Sequence, residues 1–275
     1  MLTWLITGAS SGFGRILTER LLERGDTVGA TVRRPEVLVA LKERYGDRLW
    51  IATLDVTNAE GVKTTVDRAF ADLGRIDVLV SNAGYGVLGA AEEADLATVR
   101  HVLDTNLLGS IELIRAAVPH LRRQGGGRVL QFSSEGGQIA YPGFSLYHAT
   151  KWGIEGFVEA MAQETAPFGI GLTLIEPGPT ATGFVGSIVR PTPQPAYAGT
   201  PADTVRKGID SGAFAVTGDA AKGVDAMIAM IDRGETPLRL TLGGSAYEGI
   251  HAALTRRLAA LESQKAVAYS ADADH

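Results

Sequence analysis

The sequence predicts an α/β fold: one mostly parallel sheet of about seven strands, with helices on both faces. Two observations predict it. Short apolar runs alternate with amphipathic stretches of helical period along the whole chain. The first apolar run leads straight into a glycine-rich turn and then a helix. No repeat, low-complexity block or linker divides the 275 residues. A single domain over 1–262 is therefore expected, with a polar tail over 263–275.

Each element can be justified in order. Met1 to Ile6 reads as a short buried strand. Thr7-Gly8-Ala9-Ser10-Ser11-Gly12-Phe13-Gly14 follows, then a helix through Ile16, Leu17, Leu21 and Leu22 that stops at Gly25. Glycines let a backbone approach a ligand closely, and the helix start offers unpaired N–H groups to a pyrophosphate. The bland alternative is a loop with no ligand. Thr27 to Val32 is the second strand, ending in Arg33-Arg34-Pro35. An acid at this point would hold the ribose hydroxyls of NAD, and an arginine would accommodate the phosphate of NADP. Val32 stands where the acid is sought, and guanidinium suits phosphate. The competing reading is a solvated pair capping the next helix.

Leu49 to Leu54 is the third strand, closed by Asp55-Val56. Asn58 caps a helix that ends near Gly74. Ile76 to Val80 is the fourth strand and delivers Ser81-Asn82-Ala83-Gly84. One long helix is expected from Leu96 to Arg123, with Asn106 inside its apolar face. A buried asparagine must find partners: either a structural hydrogen bond or a polar contact reaching a site. Arg128 to Phe132 is the fifth strand and ends in Ser133-Ser134. A helix around Tyr147 to Gly169 and a sixth strand, Gly171 to Ile175, lead to Glu176-Pro177-Gly178-Pro179-Thr180-Ala181-Thr182. The Pro-, Gly- and Thr-rich stretch 183–215 is poorly patterned and reads as a lid, or else as a disordered insertion. A helix over Asp219–Ile231, a strand over Leu238–Leu242 and a helix over Tyr247–Leu261 complete the domain.

Composition excludes several function classes. The net charge is −5 and no basic block occurs, which argues against nucleic acid or an anionic membrane as partner. No apolar run approaches the ~20 residues of a membrane span. There is no cysteine, hence no disulfide, thiolate metal site or cysteine nucleophile. No histidine cluster suggests a metal, and no signal peptide is visible. A cytoplasmic location is expected.

Tyr147 and Lys151 stand four residues apart, on one face of the expected helix. A free tyrosine ionises near pH ~10. A neighbouring ammonium is expected to pull that value down toward neutrality, so that the phenol exchanges protons at working pH. Helices also carry such pairs by chance, so the pair gains meaning only from the other motifs.

Together the motifs resemble the classical short-chain dehydrogenases/reductases, from Leu2 to about Ala260. Thr7 to Gly14 is similar to that family's TGxxxGxG turn, and Ser81-Asn82-Ala83-Gly84 to its NNAG motif with serine first. Asn106, Ser134, Tyr147 and Lys151 fall on its catalytic tetrad, and Pro177-Gly178 with Thr180 and Thr182 on its PG motif and nicotinamide-contacting threonine. The resemblance implies a Rossmann fold and a hydride-transferring enzyme. It implies that Tyr147 is general acid or base, that Lys151 lowers its pKa and binds the nicotinamide ribose, that Ser134 holds the substrate oxygen, and that Asn106 orders a relay water. Gly8, Ser10, Ser11, Gly12, Phe13 and Gly14 would surround the pyrophosphate. Asp55 and Val56 would meet the adenine, and Asn82, Ala83 and Gly84 the adenosine side. Arg33, helped by Arg34, marks NADP(H) over NAD(H), although Ser11 is not the second basic determinant found in the family. Homodimers or homotetramers through the helices carrying Asn106 and Tyr147 are also implied.

The expected function is NADP(H)-dependent interconversion of a secondary alcohol and a ketone, needing no metal. The substrate walls are expected from Glu135, Ile139, Tyr141, Phe144, Phe184, Val185 and Ile188, which are mostly apolar and suit a hydrophobic or aromatic small molecule. His148 is expected to be structural or on the substrate side. The alternatives are an NADP-binding sensor without turnover, or the same enzyme using NAD.

Overall fold

The computed structural model describes residues 1–213 and 215–273. Seven strands form one sheet: β1 (Thr3–Thr7), β2 (Thr27–Val32), β3 (Leu49–Thr53), β4 (Val78–Ser81), β5 (Gly127–Phe132), β6 (Ile170–Pro177) and β7 (Arg239–Leu242). Their spatial order is β3-β2-β1-β4-β5-β6-β7, and every pairing is parallel. The chain runs outward from β1 to β3, then returns across β1 to β4. The order therefore reverses between β1 and β4, where the carboxyl ends of the strands leave a crevice.

Side chains alternate across the strands. Trp4 and Ile6 of β1 enter one core and Leu5 the other. The first core lies against α1 (Gly12–Glu23) and α9 (Ala220–Asp232), through Leu17, Leu21, Val224 and Met227. The second lies against α3 (Ala59–Leu73), α5 (Gly109–Arg123) and α6 (Ser145–Thr165), through Val62, Val66, Leu113, Ile114, Ile154 and Val158. The helix starts are chemically specified. Asn58 accepts a 3.0 Å bond from the Gly61 amide at the start of α3, and Asp219 caps α9 in the same way.

Three expectations are corrected. The helix expected over 96–123 is broken into α4 (Leu96–Leu103), a π-type turn (Asp104–Leu108) and α5, with Asn106 inside the turn. The stretch 183–215 is more regular than its composition predicts: it forms α7 (Phe184–Ser187) and α8 (Pro201–Asp210), apart from Phe214, which lies outside the described residues. Thr200 caps α8, and Arg206 bonds Glu93 and Asp203 where all three are largely buried. The expected polar tail is helical for part of its length. α10 (Gly244–Ser263) is followed by α11 (Lys265–Tyr269), and residues 274 and 275 lie outside the description. The short α2 (Val39–Tyr45) completes the set. Among the described residues, no helix is long and apolar enough to cross a membrane.

Candidate active site

The strand ends open into a cleft of about 870 Å³ that runs from the β2 end to α8. Its half toward the β1 and β2 ends is made mainly of backbone. Gly8 has φ +69° and Gly12 φ +54°, a region that favours glycine. A Cβ on Gly8 would lie 3.0 Å from the Ala83 Cα. Ser11 precedes α1 in extended backbone and makes no side-chain cap, so the first amides of the helix are not consumed by one. Gly8, Ser10, Ser11, Gly12 and Phe13 all line the cleft.

Gly14 does not line it. A Cβ there would fall 2.5 Å from both the Gly8 carbonyl oxygen and the Asn82 Nδ2. Gly14 is thus a packing requirement behind the turn. Asn82 lines the cleft, yet its side-chain amide is turned away from it, donating to the carbonyls of Thr7 (3.0 Å) and Gly8 (3.1 Å). The Thr7 hydroxyl accepts from the amides of Asn82 and Ala83 in return. Four hydrogen bonds lock the end of β4 to the end of β1. Ala83 and Gly84 line the same wall.

At the β2 end Val32 is buried in the core, so no carboxylate stands there. Arg33 is exposed and lines the cleft, whereas Arg34 is exposed and lies outside it. Among the described residues Arg33 forms no ion pair. Asp55 and Val56 line the cleft after β3. The Thr57 amide and hydroxyl hold the Asp55 carboxyl below its ordinary range, and Arg33 adds to the effect.

The other half is centred on the start of α6. Tyr147 and Lys151 are both buried there, one turn apart. The Lys151 ammonium donates to the Phe132 carbonyl at 2.9 Å and sits 5.6 Å from the centre of the Tyr147 ring. Burial pulls Lys151 down to about 8, while Glu155 one turn further on opposes that shift. Burial pushes the Tyr147 phenol up to about 12, and the neighbouring Ser134 hydroxyl works the other way. The expected lowering of Tyr147 by Lys151 is therefore not seen. Desolvation outweighs it, because the ammonium is directed at the β5 carbonyl. Ser134 also accepts a bond from the Gly136 amide, which fixes the turn after β5.

Asn106 is buried and does not reach the cleft. Its Oδ1 accepts from the Tyr85 amide (3.0 Å) and its Nδ2 donates to the Tyr85 carbonyl (2.8 Å). A longer bond joins its Nδ2 to the Thr150 hydroxyl, which in turn donates to the Tyr147 carbonyl. The structural alternative for Asn106 is the observed one. It holds the Tyr85 wall of the cleft to α6.

Pro177, Gly178, Thr180 and Thr182 line the cleft beyond β6. Glu135, Tyr141, Phe144 and Phe184 line its far end, with Val185 and Ile188. Phe144 and Phe184 have ring centres 6.1 and 5.7 Å from that of Tyr147. The Tyr141 hydroxyl donates to Glu135 at 2.8 Å, and burial raises both groups. Ile139 is not a wall residue; it packs against Ile250 and Ala253 instead. His148 lines the cleft, and its ring is held on both nitrogens. Its Nδ1 faces the Gly136 carbonyl (2.8 Å), so it donates, and its Nε2 accepts from the Tyr141 amide (3.0 Å). Burial lowers the pKa of the ring, the direction this pairing favours. The sequence reading missed Tyr85, His101, Val189 and Ile209, which also line the cleft. Tyr85 directly follows the Asn82-Ala83-Gly84 motif, a signal that was available. Val189 directly follows the expected wall residue Ile188, whereas His101 and Ile209 belong to no motif.

A family model described as "short chain dehydrogenase" matches residues 3–192, more than half of the chain. An oxidoreductase, BOA17, from Botryotinia fuckeliana is 38% identical over 250 residues, covering 89% of this chain and 90% of that protein. A solved short-chain dehydrogenase from Streptomyces avermitilis is 38% identical, with a TM-score of 0.91 and coverage of 99% and 100%. A serine dehydrogenase solved in complex with NADP+ is 27% identical, with a TM-score of 0.74 over 88% of this chain and 94% of that one. The chain belongs to the short-chain dehydrogenase family and is an oxidoreductase of that family.

Proposed function

We propose that this short-chain dehydrogenase uses NADP(H) to interconvert a secondary alcohol and a ketone on an apolar small molecule, within one domain spanning 1–262. The observation that carries the reading is the juxtaposition of Tyr147 and Ser134 on the wall of the cleft, with Lys151 one turn behind Tyr147.

The residues fit a dinucleotide. The turn at Gly8 and Gly12 leaves room that side chains would fill, and the α1 amides favour a pyrophosphate. Arg33, without an ion pair among the described residues, suits a ribose phosphate, and buried Val32 offers NAD no acid. Asp55, Val56, Ala83 and Gly84 line the adenosine side, and Pro177, Gly178, Thr180 and Thr182 the nicotinamide side. A bound nicotinamide supplies or accepts the hydride.

The chain's own residues do the rest. Tyr147, protonated at neutral pH with its phenol near 12, donates a proton to the carbonyl oxygen during reduction. Ser134 donates a second hydrogen bond to the same oxygen, where charge develops. Lys151 contributes partial positive charge behind the phenol and a donor toward a ribose. Asn106 acts as a positioning residue through Thr150. Phe144, Phe184, Val185 and Ile188 exclude water and accept an apolar group, and α7 and α8 cover it.

The test is initial rate on bulky ketones with NADPH and NADH in parallel. Faster turnover with NADPH is expected. Faster turnover with NADH would remove Arg33 from the cofactor reading. Tyr147→Phe should retain NADPH binding, followed by fluorescence, and lose about 10²–10⁴-fold in turnover. Full turnover in that variant would sink the mechanism.

A further inference from the structure

One acidic side chain stands in the substrate half of the cleft without a counter-charge. Glu135 directly follows Ser134, is 6% exposed and lines the cleft. The turn that carries it is well fixed. The amides of Gln138 and Ile139 both donate to the Glu135 carbonyl at 2.9 Å, and the Gly136 amide donates to the Ser134 hydroxyl at 3.1 Å. A Cβ on Gly136 would meet the His148 ring at 2.7 Å, so glycine is what lets the turn lie against α6. The Glu135 carboxyl is thus delivered to the cleft by a preorganised backbone.

Its two oxygens differ. Oε1 accepts from the Tyr141 hydroxyl at 2.8 Å. Oε2 accepts no hydrogen bond among the described residues, yet it is not sealed inside protein. It lies toward Gly178, where a Cβ would stand 3.3 Å from it, and Gly178 lines the same cleft. Among the described residues no cation pairs with this carboxyl. Lys151 is directed at the Phe132 carbonyl, both His148 nitrogens are occupied, and Arg239 is taken by Glu155, Glu159 and Glu176. A buried carboxylate without a partner is costly. Burial accordingly raises this one, with the Tyr141 hydroxyl working the other way. A ligand cation would remove that penalty. The rings around it suit a cation too: Tyr141, Phe144, Tyr147 and Phe184 line this half, and aromatic faces attract ammonium groups. A hydroxyl would also donate to Oε2, but it would leave the charge uncompensated and gain little from the rings.

We propose that Glu135 sets substrate specificity: its carboxylate receives a protonated amine, carried close to the reacting carbon of an otherwise apolar amino alcohol or amino ketone. This deepens the alcohol–ketone reading above and rests on it. The closeness follows from the position of Glu135 next to Ser134, and from its charge reaching the Tyr147 phenol, whose ionisation it opposes.

The test compares 2-amino-1-phenylethanol with 1-phenylpropan-1-ol, where methyl replaces the ammonium, and with 1-phenylethane-1,2-diol, where a hydroxyl does. Binding to the NADPH-loaded full-length protein is followed by fluorescence at neutral pH, and oxidation with NADP+ or NAD+ is measured separately. The amino alcohol should bind at least about tenfold tighter than either of the others. Glu135→Gln keeps the volume and an oxygen for Tyr141 but loses the charge. In that variant the affinity preference, and the amino-to-methyl ratio of kcat/KM, should each fall at least about tenfold relative to the wild type. Comparing the ratio between the two proteins cancels the intrinsic reactivity of each alcohol. Equal affinity for the three alcohols overturns the proposal, as does a diol that binds as tightly as the amine, or a preference that survives in Glu135→Gln. If the alcohols are oxidised with no preference for the amine, this inference falls and the alcohol–ketone reading stands. If the amine is preferred in binding but none of the three is oxidised with either cofactor, the amine site at Glu135 stands and that reading falls.

Discussion

The two halves of the cleft are built from different material. The half around Gly8, Gly12 and Asn82 is mainly backbone, locked by four hydrogen bonds where β4 meets β1. The half around Glu135, Phe144 and Phe184 is side chain, brought together from the β5 turn, the α6 start and α7. Backbone sites demand particular residues at fixed spacing, because a single Cβ is enough to spoil them. Side-chain sites demand only volume and polarity, which many sequences supply. The first half is built to hold one kind of ligand, and the second to be varied.

Substitutions can break or sharpen this contrast. The largest effect is expected at Gly14. In Gly14→Ala the new Cβ meets the Gly8 carbonyl and Asn82 at 2.5 Å, and backbone must move. NADPH affinity should fall by at least about tenfold and stability by ~1–3 kcal/mol, as overpacking does. Titration by fluorescence and thermal unfolding measure the two. A normal NADPH affinity would show that the turn tolerates displacement.

Phe184→Ala should act on the other half alone. It removes one ring packed on Tyr147. Aromatic contacts of this kind contribute ~0.5–1.5 kcal/mol beyond their area. The KM for a bulky ketone should rise about tenfold with NADPH affinity unchanged. If NADPH affinity fell equally, the halves would not be independent.

The smallest effect concerns pH. Glu176, at the end of β6, is fully buried among Gln138, Thr241 and Arg239. Burial, and then repulsion from Glu155, push its carboxyl up to about 7. A carboxyl raised in the folded state binds more protons folded than unfolded between its ordinary value and 7. Stability therefore falls as pH rises through that window. Burial raises Glu155 and Glu135 too, so they act in the same direction. The melting temperature should drop by on the order of a few °C from pH 5 to pH 7.5. Glu176→Gln should flatten part of that slope, and an unchanged slope would assign it to the other acids.

The same contrast explains what could be read from the sequence. The strands and the glycine turn were legible because each leaves a local mark: an apolar run, or glycines where a side chain cannot stand. Val32 followed by Arg33 was legible as a position. The π-type turn at Asn106 was not, because no glycine or proline among residues 104–108 marks it. α8 was hidden by its composition. Its inner face carries Asp203 and Arg206, a buried ion pair with Glu93 about a hundred residues away in sequence. Thr200-Pro201 was the start signal that could have revealed it. The Tyr147 pKa was misjudged because spacing reports proximity along a helix, while desolvation depends on everything packed around it.

The π-type turn has one more consequence. An i→i+5 turn holds one residue more than a regular one, so it shifts the phase of all that follows by about 100°. α4 can then turn His101, and the π-type turn Thr105, toward the cleft, while α5 lays Leu113 and Ile114 on the sheet. Deleting a single residue between 104 and 108 would heal the helix and make it locally more regular. It would also put the two segments back in phase, so that either the cleft or the core loses its side chains. Here an irregular helix is what lets one continuous segment serve two directions.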